Sequence, residues 1–287
     1  MKAPQMLDAV PFDMPNNIPF VVMEARIGAN RQPARVLLDT GNVAPYDILV
    51  SPGLAGRVGA SAQADGERQA RGAIGDAPVS IRPASIANFS LGPIRLQQAS
   101  AGVSSLLNSV SRQIGQPIDV IVGHRFVAGR TISIDYGRRQ VDFSAHAGRP
   151  GTAIPFILAP SRPLTLVQVT INGCGPFLMA LDTGASTTLL SPALARATGV
   201  ATTQTAQLGG AGGTTANGAR IGRAQIRLGG LTRDGQAVAV ADVLGPIRQV
   251  AGAPIEGVLG ADMFRSGRIT IDYGSNRLWF EESGTRG

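Results

Sequence analysis

Val36-Leu37-Leu38-Asp39-Thr40-Gly41 is the stretch that decides the fold, because the chain repeats it as Met179-Ala180-Leu181-Asp182-Thr183-Gly184. Each copy is an apolar run that ends in an acid, a hydroxyl residue and a glycine. An apolar run before an acid predicts a buried strand that delivers a carboxylate to a turn. The glycine lets the backbone bend sharply at that point. Two such turns in one chain predict two carboxylates that face each other.

The surroundings of the two acidic turns repeat as well. Residues 119–143 align without a gap on residues 256–280. Further shared landmarks come in the same order in both halves: Ser51-Pro52-Gly53-Leu54-Ala55 with Ser191-Pro192-Ala193-Leu194-Ala195, and Ile134-Asp135-Tyr136-Gly137 with Ile271-Asp272-Tyr273-Gly274. This pattern indicates one unit that was duplicated and fused, not a solenoid of many short repeats. The predicted domains are residues 18–145 and 152–282, joined by a link at 146–151.

Length and composition agree with two β-rich domains. The chain has 287 residues, about the length of two ordinary domains. Its hydrophobic share of 44% is enough for two packed cores, whereas aromatic residues make up only 5%. The 37 glycines and 19 prolines predict many tight turns between short strands.

The net charge of +7 comes almost entirely from arginine, since Lys2 is the only lysine among 26 basic residues. The longest basic run is Arg138-Arg139, and no aromatic residues are interleaved with basic ones. We therefore interpret the charge as a scattered, solubilising surface and expect no nucleic-acid partner. A positive chain can still favour acidic partners kinetically.

The sequence predicts no metal and no cofactor. Cys174 is the only cysteine, which excludes an intrachain disulfide and a Cys-based metal site, and His124 and His146 are the only histidines. No apolar stretch is long enough to span a bilayer, so we expect no transmembrane segment. Residues 1–8 lack the apolar core of a signal peptide. The sequence leaves the localisation open: periplasmic or secreted if a leader has been removed, and otherwise cytoplasmic.

Local signals predict the elements around each acid. Residues 51–59 and 191–199 read as short helices, with serine at the N-cap, proline at the first position and glycine past the end. We predict a further helix at 103–110 and an N-terminal arm over 1–17. The predicted strands lie at 18–27, 34–38, 48–50, 120–123, 131–136, 140–143, 164–171, 177–181, 219–228, 237–243, 257–260, 269–273 and 277–280. Two or three further short strands are predicted within 79–96.

Two glycine-bearing segments, at 68–75 and 208–213, are interpreted as hairpin tips over a cleft. In the second, the predicted tip residues are Gly209, Gly210, Ala211, Gly212 and Gly213. No Lys-Ser/Thr pair of a phosphate-binding loop follows them. An unstructured surface turn is the alternative interpretation.

The acidic turns and the apolar-glycine strands resemble those of the aspartic peptidases. The second half, with Asp182-Thr183-Gly184-Ala185-Ser186-Thr187 and Gly257-Val258-Leu259-Gly260, is similar to the bacterial retropepsin-like group. Two copies in one chain resemble the fused, bilobal arrangement of the pepsins. The resemblance covers residues 18–281.

This resemblance implies an all-β, two-lobed acid-protease-like fold of β-barrels with pseudo-twofold symmetry, a few short helices and a cleft between the lobes. It implies an aspartic endopeptidase that acts on a polypeptide without metal or cofactor, and for which a monomer is sufficient. The implied site residues are the catalytic pair Asp39 and Asp182, the interlocking Thr40 and Thr183, the supporting Gly41, Gly184, Gly123 and Gly260, and a substrate flap at 209–213.

Two departures from the family pattern leave an alternative open. The first turn continues into Asn42-Val43, whereas the second continues into Ala185-Ser186, and neither predicted flap carries a tyrosine. A non-catalytic peptide-binding protein on the same scaffold is therefore the second hypothesis. Each acid alone could also be a turn carboxylate bonded to nearby N–H groups, which is the role expected of Asp135 and Asp272.

Overall fold

The computed structural model describes residues 9–62, 66, 68–71, 78–144, 151–209 and 215–283. Within these residues the protein is mostly β, with two closed six-stranded barrels and short helices between strands. The predicted all-β, two-lobed acid-protease-like fold is therefore confirmed.

The first half contains eleven strands and three α-helices in the described residues. The strands are β1 (Ala9–Asp13), β2 (Val22–Ile27), β3 (Gln32–Leu38), β4 (Ile48–Val50), β5 (Ser61–Ala62), β6 (Arg68–Arg71), β7 (Pro78–Leu91), β8 (Ile94–Val103), β9 (Val120–Val122), β10 (Thr131–Asp135) and β11 (Gln140–Asp142). The helices are α1 (Pro52–Arg57), α2 (Leu106–Ile114) and α3 (His124–Val127), with a 3₁₀ turn at Pro15–Asn17.

The second half, over its described residues, repeats this plan with small differences. Its strands are β12 (Ile154–Pro155), β13 (Ile157–Leu158), β14 (Thr165–Ile171), β15 (Cys174–Asp182), β16 (Thr188–Leu190), β17 (Thr202–Gly209), β18 (Thr215–Leu228), β19 (Leu231–Val240), β20 (Gly257–Gly260), β21 (Gly267–Asp272) and β22 (Arg277–Glu282). The helices are α4 (Pro192–Ala197) and α5 (Gly245–Ala251), with a 3₁₀ turn at Ala261–Phe264.

Strand order shows that the two barrels are copies of one topology. The order β2-β3-β9-β4-β8-β7 in the first half matches β14-β15-β20-β16-β19-β18 in the second. Each barrel closes at an equivalent place, by pairing of β2 with β7 and of β14 with β18. In each half the strand that precedes the acid lies parallel to the apolar-glycine strand. The duplication read from the sequence is thus a duplication of the fold.

A continuous sheet joins the two halves. Strands β10 and β21 pair antiparallel through five consecutive residue pairs, from Thr131↔Asp272 to Asp135↔Arg268. At the middle of this ladder the hydroxyls of Ser133 and Thr270, which are equivalent residues of the two copies, lie 3.0 Å apart. The pseudo-twofold axis therefore passes between these two side chains.

Apolar packing follows the same division. One large cluster fills both barrels and runs across the sheet that joins them, built chiefly of Val, Ile, Leu and Ala side chains. A smaller cluster in each half packs beneath α2 or α5, on the side that faces the other half. The scarcity of aromatic residues is thus compensated by close packing of small and branched side chains.

The predicted helices after the acidic turns are confirmed. Ser51 caps α1 by accepting a hydrogen bond from the Leu54 N–H at 3.3 Å, and Ser191 caps α4 by accepting one from Leu194 N–H at 3.0 Å. Proline occupies the first helical position in both. Local chemistry alone determines these two elements, so the sequence was sufficient to predict them.

Other elements differ from their predictions, among them helix α3, which was not predicted. The helix expected at 103–110 is α2 (Leu106–Ile114), because β8 continues to Val103. Part of the N-terminal arm is strand β1, which pairs with β11 and β2. Helix α5 was not predicted. In the described part of the chain, no helix has the length and apolarity needed to cross a membrane.

Candidate active site

The two acids lie where strands β3 and β15 end, beside the ends of β9 and β20. Leu38 is in register with Val122, and Asp182 with Gly260. The backbone N–H of Asp39 donates to the carbonyl of Val122 at 3.0 Å. Strands β9 and β20 therefore support the two acidic turns from behind. The side chain of each acid points towards the other half.

The side chains of Asp39 and Asp182 are joined by a hydrogen bond across the two halves. Backbone groups from both turns converge on the same pair: Asp182 Oδ1 accepts from the N–H of Gly184 at 2.7 Å and from that of Gly41 at 3.2 Å. The structure thus brings together the two acids that the sequence singled out. Asp39 and Asp182 both line the cleft between the halves.

Burial of the pair raises both carboxyl pKa values. For Asp39 the pKa lies well above its ordinary value of 3.8, first because of desolvation and then because of the negative charge of Asp182. Desolvation also raises the pKa of Asp182, but backbone donors and the hydrogen bond from Asp39 partly offset it. Two carboxylates this close cannot both ionise cheaply, so the pair keeps one proton between them.

Gly41 and Gly184 bring each turn into contact with the opposite acid. A Cβ atom on Gly41 would lie 2.5 Å from the carboxyl carbon of Asp182, and one on Gly184 would lie 2.6 Å from that of Asp39. Those distances are too short for real carbon contacts. Glycine is therefore required in both turns by the proximity of the two carboxyl groups.

Thr40 and Thr183 interlock the turns from beneath. The hydroxyl of Thr40 donates to the carbonyl of Leu181 at 3.3 Å and accepts from the N–H of Thr183 at 3.0 Å. The hydroxyl of Thr183 donates to the carbonyl of Leu38 at 2.9 Å and accepts from the N–H of Thr40 at 3.1 Å. Both side chains are buried. This reciprocal set of four bonds fixes the positions of the acids.

Gly123 and Gly260 lie directly behind the acidic turns. A Cβ atom on Gly123 would come 2.1 Å from the carbonyl oxygen of Asn42, and one on Gly260 would come 2.9 Å from the carbonyl oxygen of Ala185. The same two carbonyls accept the N–H groups of His124 and Ala261. Each turn is thus pressed against backbone, with no room for a side chain.

Asn42, which departs from the family pattern, bonds within its own turn. Its side-chain oxygen accepts from the N–H of Ala44 at 3.1 Å, and its own N–H donates to the carbonyl of Asp39 at 3.1 Å. In the second turn the N–H of Ala185 donates to the carbonyl of Asp182 at 3.3 Å. The backbone of the first turn therefore matches that of the second, and Asn42 leaves the paired carboxyl groups in contact.

The acids lie on the floor of a cleft of about 880 Å³ between the two halves. Most of its wall is apolar and comes from equivalent positions in the two copies: Leu49 with Leu189, Val110 with Ile247, and Ile121 with Val258. Among the described residues, only Asp39, Asp182 and Arg162 bring charge to this wall. A largely apolar cleft of this size can bury apolar groups of a bound ligand next to the two acids.

Residues 167–263 match the family model described as aspartyl protease. The matched segment contains Asp182, Thr183, Gly184 and Gly260, so it covers the second acidic turn and the strand behind it. The match supports an aspartic-protease-like family. The chain matches no curated protein.

The flap predictions can be followed only in part. Gly209, the last residue of β17, lines the cleft, and a Cβ atom there would lie 3.1 Å from the side-chain nitrogen of Gln113 on α2 of the first half. The second-half hairpin therefore reaches across the cleft to the other lobe. Gly210, Ala211, Gly212 and Gly213 lie outside the described residues, as do residues 72–75 of the first hairpin. Gln69 on β6 also lines the cleft.

Asp262 is a residue of the site that sequence reasoning missed. It lies one residue beyond Ala261, and its half-buried carboxylate accepts from the N–H and hydroxyl of Thr188 at 3.0 and 2.8 Å and from the side-chain amide of Gln236 at 2.8 Å. The hydroxyl of Thr188 in turn accepts from the N–H of Gly260 at 3.2 Å. Asp262 therefore ties the strand behind the second acidic turn to the strand that follows this turn.

The first half backs its turn differently. At the position equivalent to Asp262 stands Arg125, which pairs with Asp47 at 3.0 Å. Asp47 also accepts from the N–H and hydroxyl of Ser100, both at 2.8 Å. Because the residue types differ, the alignment of the two halves provides no signal for either interaction.

The remaining polar residues of interest have structural roles. Asp135 and Asp272 accept N–H bonds from Arg138 and Gly274 at 2.9 Å in their hairpin turns, as predicted. His124, whose pKa burial lowers, packs edge-on against Tyr273 with ring centres 5.3 Å apart. Within the part of the chain that the structure describes, no three His, Cys, Asp or Glu side chains form a metal-binding group.

Proposed function

We propose that the protein is an aspartic endopeptidase, which hydrolyses peptide bonds with a water molecule activated between Asp39 and Asp182. The observation that carries this proposal is the hydrogen-bonded pair of carboxyl groups on the floor of an apolar cleft. The family match over residues 167–263 supports it for the second half. Both acids belong to one chain, so a monomer supplies the whole site.

In the free protein, the shared proton belongs to Asp39. Desolvation and the charge of Asp182 raise the pKa of Asp39 well above its ordinary value, although backbone hydrogen bonds at Asn42 and Gly41 lower it in part. At Asp182, hydrogen bonds from Gly184, Asp39, Gly41 and Ala185 offset more of the effect of desolvation. Asp182 is therefore the base and Asp39 the acid. In aspartic proteases two carboxyl groups share one proton, so that one acts as acid and the other as base. We assign these two roles to Asp39 and Asp182.

The reaction then proceeds without a covalent intermediate. Asp182 takes a proton from the water, and the resulting hydroxide attacks the peptide carbonyl carbon. The protonated Asp39 donates a hydrogen bond to the carbonyl oxygen, on which negative charge develops. The C–N bond breaks as Asp182 passes the proton that it took from the water to the nitrogen of the leaving amine. The products are a carboxylic acid and an amine, and the pair returns to its starting state with one proton on Asp39.

Peptide binding without turnover is the second candidate function. Its motivation in the sequence is Asn42 and the absence of tyrosine from the flap segments. Asn42 bonds within its own turn, so it provides no structural argument against catalysis. The same experiment separates the two functions, since only an enzyme releases new amino termini from a bound peptide.

The test is cleavage of an unfolded protein by the wild type and by Asp39→Asn and Asp182→Asn. We expect each substitution to reduce the rate at least about a thousandfold, because asparagine cannot exchange the required proton. Circular dichroism serves as the control for folding. Full activity in either folded variant would contradict the proposal, and so would tight peptide binding by a wild type that cleaves nothing at any pH from 3 to 8.

The pH dependence of kcat/KM provides a second test. Activity requires one proton on the pair, so it falls at low pH when both acids are protonated and at high pH when both are ionised. Because the pKa of Asp39 lies well above 3.8, we expect the high-pH limb above the range of ordinary carboxyl groups. A rate that rises steadily with hydroxide concentration would contradict the mechanism.

A further inference from the structure

The cleft wall departs from twofold symmetry most clearly in its charge. Apart from the two acids, Arg162 is the one charged residue among the described residues that line the cleft. Its equivalent in the first half is Ile18, because the Phe20 N–H donates to the Ile18 carbonyl as the Leu164 N–H donates to that of Arg162. Phe20 and Leu164 both line the cleft, whereas Ile18 does not. The second-half wall of the cleft therefore carries a positive charge that the first-half wall lacks.

The segment that carries Arg162 is held in place by its backbone. It connects β13 to β14, and the Ala159 N–H donates to the Leu164 carbonyl at 2.9 Å, which closes the loop. The N–H of Ser161 donates to the carbonyl of Ala251, the last residue of α5, at 3.2 Å. Arg162 thus stands at a fixed point of the rim, next to the helix that forms the second-half wall.

Arg162 is exposed, lines the cleft and has no carboxylate partner among the described residues. Other arginines of the described chain, such as Arg125 and Arg268, form ion pairs. Arginine presents a planar set of donors that matches a carboxylate in two-point geometry. A charge in this position can therefore recognise an acidic group of a bound chain.

We propose that Arg162 is a specificity-determining residue that binds a carboxylate of the substrate on the second-half wall of the cleft. This inference rests on the proposed function, and it specifies the substrate class. The substrate is a polypeptide with apolar residues around the cut and an acidic group further along, either an Asp or Glu side chain or a C-terminal carboxylate. Since the rest of the wall is nearly symmetric, this contact also selects the register in which the chain binds.

The test uses C-terminally amidated peptides with apolar residues around one cleavage site, in which a single Glu is moved from position to position. Each peptide has a twin with Gln at the same place. We expect one position at which the wild type prefers Glu over Gln by about fivefold in kcat/KM, the size expected of a solvent-accessible ion pair. Because the contact is exposed, the preference should shrink as salt is raised.

Variants assign the preference to Arg162. In Arg162→Gln the Glu/Gln ratio should fall to about one, and in Arg162→Glu it should invert, with a Lys peptide now preferred. Arg265→Gln is the matched control, because Arg265 is an exposed arginine outside the cleft wall, and its ratio should equal that of the wild type. A ratio that is the same in the wild type and Arg162→Gln would overturn the inference.

A second pair of peptides distinguishes the sources of the carboxylate. These peptides end at the preferred position and carry either a free C-terminal acid or an amide. Preference for the free acid that Arg162→Gln abolishes would assign a C-terminal carboxylate, whereas preference only for internal Glu would assign a side chain. Absence of either preference in the wild type would overturn the inference.

Binding separates this inference from the proposed function. If the wild type cleaves no peptide, the endopeptidase proposal fails, but fluorescently labelled Glu and Gln peptides can still be titrated against the Asp182→Asn protein. A Glu preference in binding that is lost in the Arg162→Gln, Asp182→Asn double variant would support the role of Arg162 without any turnover. Equal binding of both peptides to both proteins would overturn it.

Discussion

The two halves hold their acidic turns in different ways on the side that faces away from the cleft. In the second half, the half-buried carboxylate of Asp262 accepts three hydrogen bonds from Thr188 and Gln236. In the first half, the equivalent position holds Arg125, an exposed cation that pairs with Asp47. At equivalent positions, the second half thus supports its acidic turn with a carboxylate, Asp262, and the first half with a cation, Arg125.

Where the two turns touch each other, the copies have stayed identical. Thr40 and Thr183 exchange the same four bonds, and Gly41 and Gly184 each lie against the opposite carboxyl group. The two halves have therefore kept identical residues where each turn contacts the other turn. Away from that contact, each half has only to satisfy its own polar groups, so the residues were free to diverge.

The largest effect is expected at the glycines of the shared contact. Gly41→Ala and Gly184→Ala should each reduce kcat/KM by about a hundredfold or more, because the new Cβ atom must push the opposite carboxyl group away. Steady-state kinetics on one peptide measures the loss. Gly56→Ala is the control, since that glycine has nothing within 4 Å. Activity near the wild-type level in either variant would mean that the turns can separate without consequence.

The next effect concerns the interlocked threonines. Thr40→Val and Thr183→Val each keep the shape of the side chain but leave a buried N–H and a buried carbonyl without a partner. We expect each to lower the free energy of unfolding by about 3 kcal/mol. Urea denaturation measures the change.

Thr198→Val is the matched control for the threonine variants. Its hydroxyl donates to the Leu194 carbonyl, which already accepts the Thr198 N–H within α4. No group is left unpaired, so we expect a loss below about 1 kcal/mol. Clearly unequal losses of unfolding free energy in Thr40→Val and Thr183→Val would contradict the expectation that the two threonines contribute equally.

A smaller effect is expected at Asp262, whose hydrogen bonds to Thr188 and Gln236 support the second acidic turn and are called the brace of the second half. Asp262→Asn replaces one acceptor oxygen by an NH₂ group that faces a backbone or amide donor. We expect the free energy of unfolding to fall by about 2 kcal/mol at pH 7. Asp234→Asn, which alters an exposed acceptor of Gln225, is the control. An unchanged free energy of unfolding in Asp262→Asn would show that the hydrogen bonds of Asp262 do not stabilise the second half.

The smallest effect is expected at the Arg125–Asp47 ion pair, the brace of the first half. Arg125→Gln removes an ion pair whose arginine side chain is 54% exposed, so it should cost less than about 1 kcal/mol. The loss should shrink further at high salt. A cost equal to that of Asp262→Asn would contradict the contrast between the two braces, and thermal denaturation at two salt concentrations would reveal it.

The sequence predicted the parts of the molecule that local chemistry determines. An apolar run that ends in Asp-Thr-Gly specifies a strand and a turn, and Ser-Pro specifies the start of α1 and α4. Repetition then indicated that Asp39 and Asp182 belong together. What placed these acids in contact, however, is the pairing of distant strands, which no short stretch of sequence encodes.

The elements that were missed have equally physical reasons. Strand β1 contains a proline and is ordered by pairing with β11, more than a hundred residues away. Helix α5 begins with Gly245-Pro246, a weak start that packing against the second-half core makes sufficient. Asp262 carries no signal because its partners, Thr188 and Gln236, are remote in sequence and have no counterparts in the first half.

The ladder between β10 and β21 has a consequence for each half taken alone. Either half on its own would present a bare strand edge, which is a template for pairing with another copy. We therefore expect a single half to pair with a second copy of itself along this edge, with Ser133 or Thr270 opposite the same residue of the other copy. By the same reasoning, the two halves expressed today as separate polypeptides should find each other and rebuild the complete molecule.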